Sequence, residues 1–155
     1  MSPRRRPRCG GYALRVVLDT NIWVSGLIAP EGAPGRILEA VRRRRLTALV
    51  TWELAEEIVE VLERPRLAKY EVSPEDVANL LTIIGPLIPP VDFEVTPRDP
   101  DDAHVVAAAV VTEADALVTG DQGLLTDPAL RSWLAERGVQ LLSAAELLEL
   151  VDPAP

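Results

Sequence analysis

Leu14-Arg15-Val16-Val17-Leu18-Asp19-Thr20-Asn21 is the stretch that decides the fold. Its apolar, β-branched run is too short for a helix and reads as a buried strand, with a carboxylate immediately after it. The design returns late in the chain in Leu117-Val118-Thr119-Gly120-Asp121. Each run predicts a parallel strand with an acid, Asp19 or Asp121, at its carboxyl end. That edge is where open α/β sheets place their ligands.

Working outward, strands are expected at Leu14–Leu18, Leu46–Thr51, Asp115–Thr119 and Val139–Leu142, with an edge strand at Val91–Val95. Helical spacing lies between them. An apolar helix runs through Ile22-Trp23-Val24 to Ile28, a loop spans Pro30–Gly35, and a helix covers Arg36 to Arg45 with Ile37, Leu38 and Val41 inward. Trp52 to Arg64 is a helix stopped by Pro65, with Leu54, Ile58, Val61 and Leu62 as its inward stripe. Ser73-Pro74-Glu75-Asp76 has the N-cap, N1 proline and first-turn acids of a helix start. Further helices follow Pro100, cover Leu130 to Arg137, and begin at Ser143-Ala144-Ala145-Glu146 with capping-box spacing. Alternating strands and helices predict an α/β fold with a mostly parallel central sheet and helices on both faces. Residues 1–12, rich in Arg and Gly, read as a disordered basic extension, and residues 13–151 as one domain.

Two more acids fall on helices. Glu53, Glu56, Glu60 and Glu63 point away from the apolar stripe of their helix, whereas Glu57 sits on its flank, facing a cleft. Asp102 precedes Val105, Val106 and Ala109 by three, four and seven residues, so it shares their inward face. Asp19, Glu57, Asp102 and Asp121 gathered together would repel one another without a cation, and hard ions such as Mg²⁺ or Mn²⁺ prefer oxygen ligands. Each acid also has an ordinary account. Asp19 and Asp121 suit helix N-caps, Asp102 suits a first turn favoured by the helix dipole, and Glu57 suits a solvated surface.

Composition bounds the rest. The 155 residues carry a net charge of −8, and because four of the 16 bases lie in residues 1–12, the remainder holds 12 bases against 24 acids. Bulk electrostatics therefore do not make this body a nucleic-acid binder. Phosphate attraction must be local: a bound metal, the basic extension, or Arg42-Arg43-Arg44-Arg45, which reads equally as a solvated helix end. Cys9 is the lone cysteine and no apolar run has transmembrane length, so a cytoplasmic setting without membrane attachment is expected. His104 is the lone histidine, so a zinc site built on several His is excluded. No phosphate-binding glycine loop is present.

Taken in order, the Asp19 strand, the Glu57 helix ending Leu62-Glu63-Arg64-Pro65-Arg66, Asp99-Pro100-Asp101-Asp102, and Leu117-Val118-Thr119-Gly120-Asp121 resemble PIN domains. The resemblance, over roughly residues 14–145, is strongest to the toxins of bacterial and archaeal toxin–antitoxin pairs. It implies a PIN-like three-layer α/β/α fold and a Mg²⁺- or Mn²⁺-dependent endoribonuclease. By position it assigns Asp19, Glu57, Asp102 and Asp121 as catalytic metal ligands, with Asn21 and Thr119 as supporting polar residues. It also implies an RNA substrate, a cognate antitoxin protein and a homodimer.

Two alternatives stay open. One is a PIN-like module that binds RNA or protein without cutting. The other is a haloacid-dehalogenase-like phosphatase, whose chemistry needs a second Asp where this chain has Asn21. Packing adds an argument for self-association: Ile22, Trp23, Val24, Leu27 and Ile28, and again Leu80, Leu81, Ile83 and Ile84, run nearly all round their helices, which therefore demand burial on every side.

Overall fold

The computed structural model describes residues 13–64, 75–76, 78–79 and 103–151. Four strands, β1 (Leu14–Leu18), β2 (Leu46–Ala48), β3 (Ala116–Val118) and β4 (Gln140–Leu142), form one sheet in the order β2-β1-β3-β4. Every pairing is parallel, with Leu14 opposite Leu46, Leu18 opposite Val118, and Val118 opposite Leu142. Val16, Val17, Leu18, Leu117 and Val118 are completely buried, as β-branched and leucine strands covered on both faces must be. The expected edge strand at Val91–Val95 lies outside the described residues.

Between the strands come α1 (Thr20–Ile28), α2 (Ala33–Arg42), α3 (Trp52–Leu62), α4 (Ala103–Val111), α5 (Gln122–Leu125), α6 (Pro128–Glu136) and α7 (Ala144–Val151). Residues 75–76 and 78–79 are helical, as the Ser73-Pro74 start predicts. From the centre, β1 to β2 steps one way and β3 to β4 the other. Right-handed crossovers then put the connecting helices on opposite faces. The packing agrees: α2 lies against α7, while α4 lies against β1, β3 and α3. The result is three layers, α/β/α. Among the described residues, no helix is long and apolar enough to cross a membrane.

Several element ends differ from the sequence expectation for local reasons. Pro30–Gly35 is not wholly a loop, because α2 starts at Ala33 with Pro34 in its first turn, where a missing N–H costs nothing. Gly35 is required there: a Cβ would collide with the backbone of Pro30. The strand expected over Leu46–Thr51 runs continuously only to Ala48; Thr51 makes an isolated bridge and also caps α3, its hydroxyl accepting from the Leu54 N–H at 3.1 Å. The helix expected from Leu130 begins at Pro128, capped by Asp127. The capping box at α7 forms as read, Ser143 and Glu146 exchanging side-chain to backbone bonds of 2.8 and 3.2 Å.

The all-round apolar helix α1 is covered by its own chain. Ile22, Trp23 and Val24 are buried, α1 packs on α2 and α3, and the Trp23 indole N–H donates to the Leu18 carbonyl at 3.1 Å. Leu27 and Ile28 are half-buried and packed against the same core, so most of the apolar surface of α1 is covered within the chain. The corresponding residues Leu80 to Ile84 lie outside the described residues.

Candidate active site

In a doubly wound sheet the crevice opens where the strand order reverses. Here that point lies between β1 and β3, and the register fixes what meets there. The Asp19 N–H donates to the Val118 carbonyl at 2.9 Å, extending the β1–β3 pairing by one step. Asp19 and Thr119 are thereby laid side by side at the carboxyl edge. The Thr119 hydroxyl donates to Asp19 Oδ2 at 2.8 Å and accepts the Asp121 N–H at 3.0 Å. Thr119 is fully buried and Asp19 only 8 % exposed.

Asp19 is also the N-cap of α1, Oδ1 accepting the Thr20 N–H at 2.8 Å. Thr20 in turn sends its hydroxyl to Glu57 Oε1, donating at 2.7 Å. Glu57 comes from the second turn of α3, which reaches the site because α3 packs against α1. The phase expected for α3 is what the structure shows. Leu54, Ile58 and Leu62 are buried, Val61 is half-buried, Glu53, Glu56, Glu60 and Glu63 are exposed, and Glu57 alone among the five glutamates is half-buried.

Thr119, Asp19, Thr20 and Glu57 thus form one hydrogen-bonded chain across β3, β1, α1 and α3. Asp121 joins through its backbone N–H, while its Oδ1 caps the short helix α5 by accepting from the Gly123 N–H at 2.8 Å. Exposed Asn21 reaches the same corner, its Oδ1 accepting from the Gly120 N–H at 3.4 Å, a long bond. Asp102 lies outside the described residues. The helix α4 buries Val105 through Ala109 without a break, so its inward face is broader than the spacing implied. Among the described residues, no three His, Cys, Asp or Glu side chains converge closely enough to enclose an ion.

Thr20 is the member of this chain that the sequence reading passed over. A signal for it existed: a hydroxyl directly after a strand-end acid stands at the start of a helix, where its side chain can reach a neighbouring element.

The arginine run serves a different end of the molecule. Arg42 and Arg43 pair with Glu39 at 2.9 and 2.7 Å, and the guanidiniums of Arg43 and then Arg42 hold that carboxyl below its ordinary range. Arg44 turns the chain out of α2 in the left-handed region (φ 64°), and the Arg45 guanidinium donates to the Val151 carbonyl at 3.3 Å. Arg45 immediately precedes β2, so it stands at the amino edge of the sheet. At about 3.3 Å per residue, β1 separates the two edges by roughly 16 Å. The run is a solvated helix end rather than a phosphate clamp beside Asp19.

Comparison with known proteins adds two matches. The PIN domain family model matches residues 15–123, which spans both strand-end acids and α3. An uncharacterized protein of Methanocaldococcus jannaschii is 30 % identical over 117 residues, covering 73 % of this chain and 74 % of the archaeal one. No solved structure matches at a significant level. With the parallel sheet and the acid-bearing carboxyl edge already described, these matches show that the chain belongs to the PIN-domain family, whose members are generally nucleases that use divalent metals.

Proposed function

We propose that the protein is a Mg²⁺- or Mn²⁺-dependent endoribonuclease, the toxin of a toxin–antitoxin pair, acting at the carboxyl edge between β1 and β3. The observation that carries this is the hydrogen-bonded chain from Thr119 through Asp19 and Thr20 to Glu57, which draws acids from a strand end and a separate helix into one crevice. The donor set fits a hard divalent ion, being carboxylate oxygen with no sulfur or imidazole. Asp19, Glu57, Asp121 and Asp102 are the residues that would hold it. When bound, such an ion supplies charge stabilisation at the phosphodiester and activation of water. The residues themselves do the orienting: Thr119 fixes the Asp19 carboxylate, and the N-terminus of α1 favours that carboxylate's negative charge. Asn21 and Thr119 serve as supporting polar residues, and the substrate is RNA.

The toxin role, a small antitoxin partner and a homodimer rest on the family resemblance. A short reading frame beside this one, coding for a DNA-binding segment with a tail, would support the pairing. The enzymatic test uses the purified full chain on a panel of single-stranded and looped RNAs. Cleavage is expected with millimolar Mn²⁺, lost with EDTA and restored by added metal. Asp19→Asn should remove activity while leaving the protein folded. An intact panel at millimolar Mn²⁺ would refute the nuclease assignment, and an equally active Asp19→Asn protein would refute the role of Asp19. A binding module that does not cut is the second reading, favoured by the absence of three converging acids among the described residues. Mn²⁺ titration separates them, since the module has no need of the ion.

A further inference from the structure

The geometry points to Thr20 as a positioning residue that holds Glu57 in register with Asp19. This inference rests on the metal-dependent reading of the site and adds a residue to it. Thr20 is 7 % exposed, and both of its polar donors are spent on the acids. Its backbone N–H goes to Asp19 Oδ1 at 2.8 Å and its hydroxyl to Glu57 Oε1 at 2.7 Å. One residue therefore touches two carboxylates from elements that share no strand or helix.

The short bond to Glu57 has no other structural duty in view. It does not cap α3, whose first turn is capped by Thr51, and it does not cap α1, which Asp19 caps. A glutamate in the second turn of α3 has three side-chain torsions to settle, and a donor from α1 on Oε1 restricts them. The β-branched Thr20 is restricted at χ1, so its hydroxyl has few directions to choose from, and the bond to Glu57 selects one. Hydrogen-bonding partners of ligating carboxylates orient them, and losing such a partner typically costs about 10–100-fold in metal affinity or activity.

The test measures Mn²⁺ binding by calorimetry to the metal-stripped full chain, with thermal melting recorded alongside. Thr20→Val, which keeps the shape and removes the hydroxyl, should weaken Mn²⁺ binding roughly tenfold or more. Thr20→Ser, which keeps the hydroxyl, should stay within about threefold of the parent because the donor survives. In a Glu57→Gln background the Thr20→Val effect should largely vanish, because two residues acting through one contact are not additive. Should the Val variant fail to fold, Thr20→Ala supplies the same comparison. Unchanged Mn²⁺ affinity in Thr20→Val with a lowered melting temperature would make Thr20 merely structural and overturn this inference alone. Parent protein that binds no Mn²⁺ would overturn the metal-dependent reading, and this inference with it.

Discussion

Thr119→Val is the substitution whose consequence the structure specifies most fully. Valine matches threonine in shape, so the fully buried site stays filled and only the hydroxyl is lost. That hydroxyl makes two bonds, donating to the buried carboxylate of Asp19 and accepting from the N–H of Asp121. A hydrogen bond to a charged group is worth about 1.5–3 kcal/mol. The half-buried Asp121 N–H can turn to water, so its loss adds only about 0.5 kcal/mol. Burying a methyl in place of a hydroxyl returns up to about 1 kcal/mol. The net cost is about 2 kcal/mol, which for a chain of this size lowers the melting temperature by about 4–8 °C. Thermal denaturation in EDTA, followed by circular dichroism, measures it without interference from metal. Thr119→Ser is the control: it keeps both bonds and loses one methyl, about 0.5–1.5 kcal/mol. A Val variant that melts within about 1 °C of the parent, or a Ser variant that melts below the Val variant, would show that the hydroxyl does not hold the site together.

Two further outcomes test the frame around the site. Gly35→Ala should destabilise the chain by about 1–3 kcal/mol, because the new Cβ meets the rigid backbone of Pro30 and the start of α2 must shift; an unchanged urea midpoint would refute that packing. Trp23→Phe should cost about 1–3 kcal/mol, since it shrinks a fully buried side chain and withdraws the donor to the Leu18 carbonyl; melting that matches the parent would show the indole bond to be dispensable.

Much of the fold was legible because its signals are local and repeated. The β1 bounds follow from one apolar run, and Glu57 was separated from four neighbouring glutamates by helical phase alone. What escaped were features set by tertiary contact or by a single cap. The early start of α2 depends on Gly35 packing against Pro30, and the start of α3 depends on one bond from the Leu54 N–H to the Thr51 hydroxyl. The helix α5 has four residues, too few to show a period, and only its cap at Asp121 marks it. The cover over α1 was illegible for the same reason: periodicity reports that a helix needs cover and not which part of the chain supplies it. Thr20 was missed because its partner lies 37 residues away on another helix.

The sequence posed N-capping and site formation as rival accounts of Asp19 and Asp121, and in the proposed site the two are compatible in one arrangement. Both residues do cap helices. A cap residue sits in extended backbone between a strand end and a helix start, so in a parallel α/β sheet it occurs at the carboxyl edge, where the crevice is. Capping then orients the carboxylate by binding one oxygen to a backbone N–H, as Thr20 does for Asp19. The N-terminus of α1 lies against the Asp19 carboxylate, a setting favourable to negative charge. Capping therefore supplies the preorganisation that a cluster of acids requires, and an acid that only caps differs from one in a site by its remaining contacts. For Asp19 those contacts are specific: a fully buried threonine from β3 on Oδ2, and a neighbour in α1 whose hydroxyl grips Glu57. Asp127 at the start of α6 also caps its helix, accepting from the Leu130 N–H at 3.2 Å, yet it follows no strand at the β1–β3 crevice. The difference between these two caps is the clearest physical ground for placing the chemistry at Asp19.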